Sequence, residues 1–94
     1  MSAAKNGWVF VTSHGLLLIE VARTPDATVR ELAARAGVTE RQAHRVLADL
    51  VDGGYVVRER VGRRNRYRVN ESRHMRHPAV QEHRIGELLR TFTS

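Results

Sequence analysis

Between Val61 and Asn70 the chain reads VGRRNRYRVN, with four arginines in the six positions from Arg63 to Arg68. A guanidinium group is a permanently charged planar fork that grips phosphate oxygens, or the O6 and N7 edge of guanine, through paired hydrogen bonds. The chemistry within reach of such a run is recognition of a polyanion rather than bond-making. Three histidines, His74, His77 and His83, also fall within ten residues, and imidazole suits zinc, copper or nickel. Pro78 separates the first two from the third, and no cysteine or carboxylate completes a ligand set of the usual size, so a non-metal reading is favoured. No nucleophile, base and orienting group stand in an arrangement that would support catalysis. The expectation is a protein that is not an enzyme and that carries no cofactor and no metal.

Where the charge sits matters more than its total. The net charge is +6 over 94 residues, and the segment from Gly54 to Pro78, with eight arginines against Glu59 and Glu71, accounts for all of it. A localised basic patch on an otherwise neutral domain is the electrostatic footprint of a nucleic acid or another polyanion. Lys5 is the single lysine beside fifteen arginines. A chain of this length makes one domain with a modest core, and without cysteine it has no disulfide to brace it. The longest uncharged stretch, Asn6 to Ile19, has 14 residues, short of the roughly 18 that suggest a membrane span. Lys5 followed by an apolar run resembles a leader, but LLLIEVA continues through Glu20 as an amphipathic helix, so a cytoplasmic protein is expected.

The elements that must position these arginines follow from local signals. A first helix is predicted from Ser13 to Arg23, capped by Ser13 or Thr12 and ended before Pro25. TVRE, Thr28 to Glu31, reads as a capping box opening a second helix whose apolar positions are Val29, Leu32, Ala33 and Ala36, with Gly37 as its stop. TERQ, Thr39 to Gln42, reads as a second box opening a helix with an inward face of Ala43, Val46, Leu47 and Leu50. Gly53 and Gly54 end it. Tyr55–Val61 and Asn65–Val69, joined by Gly62-Arg63-Arg64, form a hairpin in which Asn65, Tyr67 and Val69 face one way and Arg64, Arg66 and Arg68 the other. A last helix is expected from Ala79 to about Phe92.

LAARAGVTERQAHRVL meets the demands of a helix-turn-helix: a small crossing residue at Ala33, a turn at Gly37, and apolar backing from Val38, Ala43 and Val46. The fold expected is therefore mainly α with a small β-hairpin, a winged helix-turn-helix. It forms a single domain over 1–94, with the helix-turn-helix at 28–53, the wing at 54–70 and a C-terminal dimerisation helix at 79–92. With LADLVDGGYVVRE, the GYV after the third helix and the G-R-R…Y-R-V hairpin, the stretch from Ser13 to Asn70 resembles bacterial transcriptional regulators of the MarR and ArsR types. That resemblance implies a homodimer that binds operator DNA and usually represses. It also implies a third helix that enters the major groove and a wing that tracks the backbone or minor groove.

The candidate base-reading residues lie on the exposed start of the third helix: Thr39, Arg41, Gln42, His44 and Arg45, with Arg41 and Arg45 foremost. Gln42 has an equal claim as a capping residue. Arg60, Arg63, Arg64, Arg66 and Arg68 are candidates for phosphate contacts, Asn65 for a base edge or a turn, and Thr28 for a phosphate at the start of the second helix. A seven-residue arm reaches roughly 20 Å, enough to carry Arg63 and Arg64 past the third helix. Ile85, Leu88, Leu89 and Phe92 form one apolar stripe. Because WVFV and LLLI already supply apolar surface for a small core, the stripe is assigned to a dimer interface. The partners expected are double-stranded DNA and a second copy of the chain, with no membrane. A winged helix used to grip an acidic protein, and an architectural DNA binder with little sequence preference, remain the competing readings.

Overall fold

The computed structural model describes residues 8–93, so Lys5 and Asn6, which entered the leader argument, lie outside the described residues. The elements run α1 (Ser13–Arg23), α2 (Val29–Ala36), α3 (Glu40–Asp52), β1 (Val56–Val61), β2 (Arg64–Val69) and α4 (Ile85–Thr93). This is the small α+β architecture of a winged helix.

Helix α1 starts at Thr12, whose hydroxyl accepts from the Gly15 amide at 3.2 Å, and ends at Thr24, one residue before Pro25. It buries Leu17, Leu18, Ile19 and Val21 and forms the post around which the other helices pack. At α2 both halves of the capping box form: the Glu31 amide donates to the Thr28 hydroxyl at 3.1 Å, and the Thr28 amide to the Glu31 carboxylate at 2.9 Å. Gly37 caps the other end, and the Val38 amide returns to the Ala33 carbonyl at 3.0 Å. At α3 only half of the expected box forms. Thr39 accepts from the Gln42 amide at 3.0 Å, and among the described residues the Gln42 side chain makes no return bond.

The inward face of α3, Ala43, Val46, Leu47 and Leu50, is buried against α1 and α2 as the spacing predicts. The Tyr55 amide bonds the Leu50 carbonyl at 2.9 Å and turns the chain into the hairpin. Its strands are antiparallel, with Val56 opposite Val69, Arg58 opposite Tyr67, Arg60 opposite Asn65 and Val61 opposite Arg64. The first arm starts one residue later than predicted, because the Tyr55 amide is taken by Leu50, and the second starts one residue earlier, because the reversal needs only Gly62 and Arg63. Gly62 has φ 62, the left-handed value that the first position of such a tight turn requires and that glycine adopts freely.

The last helix is shorter than expected. It begins at Ile85, and the residues from Ala79 to Glu82 form turns. Val80 is the only large apolar side chain there, so a helix would gain little by burying that stretch. The chain folds back on itself instead: His74 bridges Arg84, the Met75 amide bonds the His83 carbonyl at 3.0 Å, and the Ile85 and Gly86 amides bond the Arg73 and Glu71 carbonyls at 2.8 and 2.9 Å. The Glu87 carboxylate then caps the helix by accepting from the Arg84 amide at 2.8 Å. Among the described residues, no helix is long and apolar enough to cross a membrane.

Candidate nucleic-acid interface

With its inward face buried, α3 presents Arg41, His44 and Arg45 to solvent, while Gln42 is half-buried. Arg41 and Arg45 stand one turn apart, about 6 Å along the helix. Among the described residues neither makes an ion pair or a hydrogen bond. His44 is less free, since its Nε2 lies 3.7 Å from Glu40, which also pairs with Arg30 at 3.7 Å. Thr39 is spent on the cap.

The wing sorts its arginines into different situations. Arg63 sits at the exposed turn with no partner among the described residues. Arg60 folds its Nε back onto the Gly62 carbonyl at 3.2 Å, opposite the exposed Asn65. Arg68 pairs with Glu59 across the strands at 3.3 Å. Arg64 and Arg66 both reach Asp26 in the α1–α2 connection. Arg58 was not among the sequence candidates. It is exposed, shares its face with Arg60 and Asn65, and has no partner among the described residues. The two-residue alternation from Val56 was the signal that could have found it. Thr28 is less available than its position suggested, because both its hydroxyl and its amide are taken by Glu31. Those Thr28 bonds hold the Glu31 carboxyl below its usual range, with Arg35 and Arg64 adding to the effect.

The MarR-family model matches residues 11–66, from just before α1 into β2, which is more than half of the chain. The chain belongs to the MarR family. Members are winged-helix regulators of transcription that bind DNA, not enzymes, and the ArsR side of the resemblance has only the sequence pattern behind it. No match was found among curated proteins.

In this MarR-family chain the matched region ends before the loop from Glu71 to Arg84 and helix α4. The stripe on α4 divides. The sequence assigned Ile85 and Leu89 to an interface, but they are 5% and 3% exposed and belong to the chain's own core, which leaves little of them for a partner to cover. Leu88 and Phe92, 43% and 38% exposed, remain on the surface. The splitting follows from α4 packing along α1, which takes one edge of the stripe and leaves the other. Trp8 and Phe10, also exposed, meet edge to face at 5.0 Å ahead of α1.

The histidines have local roles in the loop. His74 Nδ1 lies 2.8 Å from the Gln81 carbonyl, His77 Nδ1 accepts from the Ala79 amide at 3.0 Å, and His83 Nδ1 lies 3.1 Å from Glu87. Among the described residues no group of three or more His, Cys, Asp or Glu side chains is placed to hold a metal. The Glu87 contact raises the His83 pKa. The Arg84 amide, and after it His83, lowers that of Glu87.

Proposed function

We propose that the protein is a sequence-specific, double-stranded-DNA-binding repressor that acts as a homodimer in the bacterial cytoplasm. The observation that carries this is the pair Arg41 and Arg45, unpaired among the described residues on the solvent face of a helix whose opposite face is fixed in the core. A rigid helix presenting two free guanidinium groups a turn apart is suited to base edges in the major groove. Arg63 at the turn of the wing, with Arg58 and Arg60 along one face, supplies phosphate contacts that set register and affinity. Leu88 and Phe92, apolar and exposed on α4, support assembly about a two-fold axis.

The test is capture of genomic fragments by the purified protein, followed by sequencing. Enrichment of a palindromic site, with half-sites spaced by about one helical turn or a multiple, is the expected result. Binding without any enriched sequence would replace the repressor with an architectural protein. Failure to bind duplex DNA at low salt, with retention of an acidic protein partner, would move the basic wing to protein recognition.

A further inference from the structure

Arg64 and Arg66 stand on the same face of β2 and reach the same residue. Arg64 Nη2 donates to the Asp26 carbonyl oxygen, and Arg66 Nη2 lies 3.2 Å from Asp26 Oδ1. One residue thus offers two oxygens to two guanidinium groups from the wing. A phosphodiester, with its two unesterified oxygens, makes the same demand on a pair of arginines. The fold does not need the carboxylate where it lies, since the Asp26 side chain is 81% exposed. Glu31, the other acidic group near Arg64, is held in place by the capping box. The Asp26 carboxylate thus pairs with Arg66, while Arg64 acts on Glu31 only through its charge.

We propose that Arg64 and Arg66 form a single phosphodiester seat on the flank of the wing, and that Asp26 occupies it as a resident anion until DNA arrives. The inference rests on the DNA-binding reading above and adds to it a specific site with a built-in competitor. An exposed ion pair changes an equilibrium by only about two- to fivefold, so a phosphate in a polyanion can displace it. The exchange also mutes the salt dependence of binding, because Arg66, which already holds the Asp26 carboxylate, condenses fewer anions to release.

Asp26→Asn keeps the size of the side chain and removes its charge. In salt titrations of duplex binding, it is expected to tighten binding about two- to fivefold. It should also steepen the log–log salt slope by roughly 0.9, the share of one phosphate contact. In the Arg66→Ala background the same change should do nothing, and Asp26→Ala serves as a second variant should the amide find a new partner. Thermal unfolding confirms that each variant is folded. Unchanged or weaker binding by Asp26→Asn and Asp26→Ala overturns the proposal and makes Asp26 a strut that positions the wing. A gain that persists without Arg66 also overturns it, since the effect would then come from net charge alone. Wild-type protein that shows no salt-dependent duplex binding would bring down the DNA-binding reading itself, an outcome distinct from the other two.

Discussion

The Tyr55 hydroxyl donates to the His74 carbonyl at 2.8 Å, joining the foot of the wing to the loop that precedes α4. Tyr55 is buried, and the Arg73 guanidinium lies 5.9 Å from the centre of its ring. Replacing the hydroxyl leaves a carbonyl short of a donor without opening a cavity. Tyr55→Phe should therefore lower stability by about 1 kcal/mol, read by urea unfolding, and leave the salt slope of DNA binding unchanged.

Neighbouring residues of α4 should respond in opposite ways. Leu88→Glu with Phe92→Glu places charge on surface positions, so the protein should stay folded and shift toward monomer in light scattering coupled to gel filtration. Leu89→Ala removes a core side chain and should cost about 2–5 kcal/mol of stability. Wild type that is already monomeric at roughly tens of micromolar would remove the dimer from the proposed function.

The two free arginine sites should separate affinity from specificity. Arg45→Ala is expected to cost roughly 1–3 kcal/mol on the preferred site and to relax the choice at one base pair in each half-site. Arg63→Ala should weaken all duplexes alike and flatten the salt slope by roughly 0.9. Binding selections on both variants check the pair; a swap of the two phenotypes would exchange their roles.

The start of α4 carries a pH signature. His83 has a raised pKa when folded, so its contribution is fully present below its usual value of 6.5 and is lost as pH rises through the folded value. Glu87 has a lowered one, so its contribution is present above its usual value of 4.5 and is lost as pH falls through the folded value. The stability difference between wild type and Glu87→Gln should be greatest between those two usual values and shrink on either side. Unfolding curves across pH 3 to 8, roughly the range of these groups, would show it.

What could be read from the sequence is what short-range chemistry determines. The Thr28–Glu31 box, the Gly37 stop and the period-two sorting of Tyr67 from Arg66 and Arg68 all involve residues within one element, and each has its expected structural counterpart. The end of the chain was harder to read, because α4 starts where Ile85 and Gly86 bond Arg73 and Glu71, contacts that no periodicity reports. The same limit applies to the wing. Alternation put Arg64 on a polar face, but the residue it meets lies 38 positions upstream, and only the folded chain brings Asp26 to it.

Gly86 has a consequence for movement. A Cβ there would come within 2.9 Å of the Glu71 Cβ and 3.0 Å of the Glu71 carbonyl, so the first turn of α4 presses on the chain just beyond the wing with no side chain between them. A seat this close would resist sliding. A rotation of α4 would then be passed on to the base of the hairpin, as a handle turns the blade fixed to it. In a two-fold assembly built on α4, the distance between the two arginine-bearing turns would then be fixed by the angle at which the α4 helices cross.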